Sequence, residues 1–276
     1  LHIGEHEIHN GADDNASGIA VMIELARHLK ENGPKDNNYL FIGFSGEELG
    51  LYGSKSFMEN PTVPIEKMNY LLNYDMVGRL KDGKLAINGT GTSPAWEAIE
   101  KIKIDNLTYK TTKSGIGSSD HASFYLKDVP AIHLFSGAHG DYHKPSDDVD
   151  KINYEGIVSI VNFSIELINQ LNGPEKIEFT KTDSEENVNA PRFTVTLGVM
   201  PDYMFDGEGM RIDGVREGKP AQTAGIQAGD IVVQMGDIEV VDMMSYMKAL
   251  SNFQKGDETI VKAKRGKKVK KFKVKF

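Results

Sequence analysis

The chain has 276 residues, 39% of them hydrophobic and 26% charged, and a formal net charge of −8. That length allows one large domain or a large and a small one, the composition suits a packed core, and no apolar run reaches the roughly 18–20 residues of a membrane span. There is no cysteine, which excludes disulfides, thiolate metal ligands and a cysteine nucleophile.

The first element follows a polar loop, Gly11-Ala12-Asp13-Asp14-Asn15-Ala16-Ser17-Gly18. Ile19, Met22, Ile23, Leu25, Ala26 and Leu29 are spaced as on a helix over 17–32, and Asn32-Gly33-Pro34 ends it. Tyr39 to Phe44 is a continuous apolar run that predicts a buried strand; Ser45-Gly46-Glu47-Glu48 follows, then a helix from Leu49 to Met58. Met68 to Tyr74 and Val129 to Phe135 predict two more buried strands. The first runs into Asp75, and the second leads to a loop containing Tyr142-His143-Lys144-Pro145. Ile157 to Leu171 predicts a long amphipathic helix. Strands alternating with helices imply an α/β domain over 1–174, with a mostly parallel mixed sheet flanked by helices. In such sheets ligands bind beyond the carboxyl ends of the strands, where Glu47, Glu48 and Asp75 fall. Residues 175–190 read as a polar linker, and from Pro191 short β-runs with glycine turns predict a small, mainly-β domain over 191–276. This last stretch carries a net +4, leaving −12 for the rest, an asymmetry that fits two units with separate surfaces. Its lysine-rich end, Lys262 to Lys275, reads as a solvated edge hairpin rather than a nucleic-acid site.

The acidic motifs also have structural readings. Asp, Asn and Ser are preferred helix caps, and carboxylates are favoured at helix starts. Two aspartates in succession, hemmed by Gly11 and Gly18, exceed what a cap requires. A charge at Asp75, after the apolar run that ends in Tyr74, is costly unless paired or bound to metal. Of the eight histidines, His28 falls on the polar side of a helix and His133 in the core of a strand. His143 lies in a glycine- and proline-rich loop, with Asp141, Asp147 and Asp148 close in sequence to orient its ring. Hard oxygen ligands and imidazole at strand ends are what a zinc site needs. A doubled glutamate adds one carboxylate for the metal and one to move protons. The residues point to a metal-dependent hydrolase.

From about His9 to Asp148 this ordered series resembles metallopeptidase family 28, the di-zinc aminopeptidases. The resemblance implies that Asp14 bridges two zinc ions, Glu47 is the general base, Glu48 and Asp75 are ligands, and His143 completes the set. Asp120 and His121, in Ser119-Asp120-His121, would stand behind the ligands. The family's further ligand, a histidine in a His-x-Asp motif, has no counterpart ahead of Asp14. The chain therefore reads as a fragment of a longer protein, with one zinc site supplied with ligands and the other incomplete; His2, His6 or His9 could substitute. The resemblance also favours a periplasmic or secreted location. Residues from Thr196 to Val232, above all Ala224-Gly225-Ile226-Gln227-Ala228-Gly229-Asp230-Ile231-Val232, resemble a PDZ domain of the Deg/HtrA type. There Leu197, Gly198 and Val199 would present backbone donors to a peptide's terminal carboxylate and a neighbouring strand would accept the peptide.

The expected activity is peptide hydrolysis at free N-termini, on peptide or protein substrates, with no part for nucleic acid or a membrane span. A single-zinc glutaminyl cyclase, a carboxypeptidase-like enzyme and a catalytically silent peptide-binding protein remain as alternatives.

Overall fold

The computed structural model describes residues 7–182, 195–202, 205, 207–216 and 218–276. Most described residues up to 182 form one compact unit and those from 195 onward a second.

In the first unit the strands are β1 (Leu71–Tyr74), β2 (Lys84–Asn88), β3 (Thr108–Thr112) and β4 (Ala131–Phe135), and the helices are α1 (Gly18–Asn32), α2 (Tyr52–Glu59), α3 (Ala98–Lys101), α4 (His121–Tyr125) and α5 (Tyr154–Gln170). The sheet order is β1-β4-β2-β3. β1 runs parallel to β4 and β3 parallel to β2, while β2 and β4 are antiparallel. All five residues of β4 are buried, as an inner strand covered on both faces requires. α1 and α5 lie together and put Val21, Leu25, Leu29, Ile160, Phe163 and Leu167 into the main core with Leu85, Ile87, Ile132 and Leu134. Each such side chain stabilises the fold by roughly 1.5–3 kcal/mol. The buried stripe of α1 is Val21, Leu25 and Leu29, at fourfold spacing, and leaves Ile19 and Ile23 exposed. Asn153 caps α5 by accepting from Gly156 N–H at 2.8 Å, and it donates through Nδ2 to the Leu80 carbonyl. That cap ties α5 to the segment after Asp75.

Two expectations are corrected. Tyr39 to Phe44 belongs to no strand, and Leu40 and Phe41 are exposed. Apolarity favours burial, but a strand also needs a neighbour for its N–H and C=O groups, and among the described residues this run has no ladder. Residues 176–182 of the expected linker lie along the first unit rather than free of it. Ile177 N–H donates to Asn69 Oδ1, Phe179 packs 5.6 Å from Tyr125, and buried Thr182 meets the Tyr125 hydroxyl at 3.1 Å. Ile177, Phe179 and Thr182 give this otherwise polar stretch an inward side. Residues 183–190 lie outside the described residues.

The second unit comprises β5 (Val199–Pro201), β6 (Met210–Val215), β7 (Ile231–Met235), β8 (Ile238–Glu239), β9 (Glu258–Arg265) and β10 (Lys268–Lys275), with α6 (Pro220–Thr223) and α7 (Met243–Leu250). Its strands are antiparallel in the order β10-β9-β7-β6-β5, with β8 beside β7. Leu197, Ile212, Val232, Val261 and Val274 sit in its own core.

Candidate metal centre

The loop carrying Asp14 is held from three sides. Asp13, fully buried, accepts from Gly78 N–H at 2.6 Å and from Ser17 Oγ at 3.0 Å. It therefore serves the loop, as a structural aspartate would. Asp147 Oδ2 accepts from the N–H groups of both Asp13 and Asp14 at 3.0 Å, and the Asp147 carbonyl accepts from Ala12 N–H. Asn15 Nδ2 donates to the Tyr74 carbonyl at 2.9 Å while its Oδ1 accepts from Gly18 and Met76 N–H. The end of β1, and with it Asp75, is thus fastened to the Asp14 loop. Gly18 makes the approach possible, since a Cβ there would stand 2.4 Å from the Tyr74 carbonyl oxygen.

Asp14, Glu48 and His143 converge, each offering one ligand atom, with these atoms all within 4.8 Å of one another. His143 Nε2 lies 2.6 Å from Glu48 Oε1 and 3.0 Å from Asp14 Oδ2. The three residues, with His9, Gly11, Lys144 and Asp147, line a cleft of ≈ 200 Å³. His143 adopts φ 57°, the left-handed region that few residues with a Cβ occupy, and its ring stacks on Tyr142 at 3.7 Å. Burial pulls the imidazole down, but hydrogen bonds to Asp14 and Glu48 and their charges outweigh it and carry it up to about 9. An imidazole nitrogen set between two carboxylates at these distances has the donor chemistry of a zinc centre.

Glu47 lies beside this triplet. Burial first, then the charges of Asp75, Glu48, Asp120 and Asp14, pushes its carboxyl up to about 8. Burial likewise raises Asp14. Asp75 is outside the triplet; its Oδ2 accepts from Ser119 Oγ at 2.7 Å, and Ser119 in turn accepts from Asn73 Nδ2 at 2.7 Å. Asp120 is buried, raised by that burial, and acts on Glu47 through its charge. His121 is buried against His133, ring centroids 4.9 Å apart, where burial and then His133 hold its imidazole down. It packs rather than reaching a ligand. His9 borders the cleft; His2 and His6 lie outside the described residues.

The three aspartates expected to orient His143 bond to other groups. Asp141 accepts from Arg79, Ser146 and Lys151, Asp147 holds the Asp14 loop, and Asp148 accepts from Asn10 Nδ2. Sequence reasoning missed Arg79 and Ser119 as organisers of the centre. The only signal for Ser119 was its place beside Asp120 and His121; Arg79 offered none. In the second unit, Gly198 adopts φ 74° and its N–H donates to Thr196 Oγ1 at 3.0 Å, while the Leu197 carbonyl accepts from Ala221 N–H and Val199 opens β5.

A model of the PDZ domain matches residues 177–276. Aminopeptidase YwaD of Bacillus subtilis is 34% identical over 160 residues, 52% of this chain and 34% of that protein. Leupeptin-inactivating enzyme 1 of Streptomyces exfoliatus is 35% identical over 145 residues, 51% of this chain and 32% of its own. The chain thus spans about a third of the length of these relatives. Among solved structures, BSAP, a zinc aminopeptidase from Bacillus subtilis, superposes with a TM-score of 0.52 at 29% identity, covering 62% of this chain and 45% of that one. The model of peptidase family M28 matches residues 2–168, across the Asp14 loop, Glu47, Glu48, Asp75 and His143, and the chain belongs to that family.

Proposed function

We propose that this chain carries the catalytic centre of a zinc-dependent aminopeptidase. The observation that carries the reading is the convergence of Asp14, Glu48 and His143 with the raised carboxyl of Glu47 beside them. Those three residues would hold zinc, with Asp75 as a further carboxylate ligand. When bound, zinc supplies positive charge that acidifies water and polarises a carbonyl. Glu47 takes the water's proton and passes it to the leaving amine, and Ser119 keeps the Asp75 carboxylate in place. The acidic surroundings, Asp14, Glu47, Glu48, Asp75 and Asp120, suit the ammonium of a free N-terminus. The names of the relatives support the same reaction class. In the second unit, the Leu197-Gly198-Val199 turn would receive the carboxyl end of a peptide, displacing Thr196 from the Gly198 N–H.

The triplet is a donor set for one ion, which also favours a second reading, single-zinc cyclisation of N-terminal glutamine. The test supplies the full chain with zinc and offers it aminoacyl-p-nitroanilides, their N-acetylated copies and a peptide beginning with Gln. Hydrolysis of the free-amine substrates alone is the expected result. Pyroglutamate formation without hydrolysis would establish the second reading, and hydrolysis of the acetylated copies would remove the N-terminal requirement.

A further inference from the structure

The second unit ends in a long hairpin whose two faces differ sharply. β9 and β10 pair through eight consecutive residue pairs, from Lys268 with Arg265 to Lys275 with Glu258, without a shift of register. Alternate residues of a strand point to opposite faces. Val261, Ala263, Phe272 and Val274 are buried on one side. The other side therefore presents Lys262 and Lys264 from β9 and Lys271, Lys273 and Lys275 from β10, with Ile260 and Val269 between them. Ile260 is 42% and Val269 58% exposed. Five lysines stand on this face against a single acidic residue, Glu258, which Lys273 approaches at 2.7 Å and Lys275 at 3.9 Å.

Protection of a sheet edge accounts for only part of this. Lysines on an edge strand deter pairing with other chains, and β10 is the edge strand. β9 is not; it lies between β10 and β7, and its lysines guard no edge. Lys262 sits directly opposite Lys271, and like charges facing each other across strands destabilise a sheet. Lys262 Nζ bonds the neutral Gln234 Oε1 at 2.8 Å, so that contact leaves the repulsion uncompensated. A face kept at this cost, flat, cationic and set with two exposed aliphatic side chains, is complementary to a flat anionic surface.

We propose that the outer face of the β9–β10 hairpin docks on the anionic surface of a lipid bilayer. The lysines meet the headgroups as point charges, and Ile260 and Val269 reach the boundary of the acyl region. A nucleic acid fits less well. The face has no aromatic side chain on which bases could stack, since Phe272 is buried on the opposite side, and it carries no arginine for bidentate readout. No helix among the described residues is long and apolar enough to cross a membrane. The proposal is independent of the reaction at the metal centre.

The experiment is co-sedimentation of the full chain with vesicles of phosphatidylcholine, and with vesicles in which a large share of it is replaced by phosphatidylglycerol. The chain should bind the second and not the first, and lose binding as salt rises. The triple variant K262Q/K264Q/K271Q should bind about 100-fold more weakly, from the attraction of each lysine to an anionic leaflet. A matched triple on the first unit, K101Q/K103Q/K127Q, should leave binding unchanged. Glu258→Gln should strengthen binding about fivefold, by the same attraction, which keeps the proposal open to refutation if the lysine triple folds poorly. Equal binding to neutral vesicles, no binding to anionic ones at low salt, or an unaltered affinity in Glu258→Gln would each overturn it. So would a DNA duplex held more tightly than the vesicles through the same lysines.

Discussion

At Asp147, 1% exposed, one carboxylate oxygen accepts two successive backbone N–H groups, and the residue stands four positions after His143. It therefore sets the distance between two of the three converging ligands. Asp147→Ala would leave both N–H groups buried and unpaired, at about 1–3 kcal/mol each. The expected outcome is a fall of a few kcal/mol in stability on urea titration, with weaker zinc binding by calorimetry. Unchanged zinc affinity in a folded variant would assign Asp147 a role in stability alone. The two adjacent glutamates should separate differently. Glu47→Gln cannot accept a proton and should lose roughly 10²–10⁴-fold in turnover while binding zinc as before. Glu48→Gln removes a charge from the triplet and should lower zinc affinity first. Identical zinc titrations for these two variants would falsify the division of labour between them.

Among the elements, the junction of α1 with β1 gives a test in which two effects oppose. Alanine is about 1 kcal/mol better than glycine inside a helix, so propensity alone favours Gly18→Ala. The added Cβ would stand 2.4 Å from both the Tyr74 carbonyl oxygen and Asn15 Oδ1; the first is main chain, and the second ends a side chain pinned by three hydrogen bonds. The clash should win, with a net loss of stability in thermal melts; a gain would mean that α1 slides freely along β1. The same region shows what periodicity reveals. Apolar spacing was enough for α1, α5 and β4, whose burial is continuous or one-sided, and for β1, which is half-buried throughout rather than buried as its run predicts. β3, Thr-Tyr-Lys-Thr-Thr, is an edge strand with no fully buried residue and left no such trace, and β2 is only five residues long. Tyr39 to Phe44 left a strong trace yet forms no strand, because pairing is a property of neighbours rather than of the run itself. At the centre, the acidic pairs and His143 were legible because ligands must be of particular residue types. Their supports were not: Asp147 reaches Asp13 across 134 residues, Arg79 reaches Asp141 across 62 and Ser119 reaches Asp75 across 44. No local pattern encodes such partners.

For the whole molecule, two separate cores imply two unfolding transitions, each with its own handle. Asp14, Glu48 and His143 all belong to the first unit, so zinc should raise only its melting temperature, by the stabilisation of about 2.7 kcal/mol that a ligand at 100 times its Kd provides. The second unit has a handle of its own in Asp230. Asp230 is raised by burial, but hydrogen bonds from Arg265 and the Gln227 N–H overcome this and leave it below the ordinary carboxylate value. A carboxyl depressed in the folded state stabilises above its unfolded pKa, near 3.9, and loses that contribution as pH falls through the folded value. Asp230→Asn should flatten the acid dependence of that transition and cost about 1.5–3 kcal/mol at neutral pH, the range for hydrogen bonds to charged groups. Calorimetry in which both transitions moved together, with zinc or with the variant, would show that the cores unfold as one.

The side chain of Asn15 behaves as a piece of borrowed main chain. Its amide gives a proton to the carbonyl of Tyr74 and takes one from the N–H of Met76, the pair of groups flanking Asp75 that a parallel neighbour would engage. A planar amide can imitate a peptide link in this way; a carboxylate of the same outline cannot, because it has nothing to donate. Loss of ammonia from Asn15 would thus turn a donor into an anion facing the Tyr74 oxygen, within the neighbourhood of Asp14 and Asp75. Asn15→Asp, which makes that exchange directly, should therefore lose its grip on zinc before it loses its fold, and a zinc titration of the folded variant checks it.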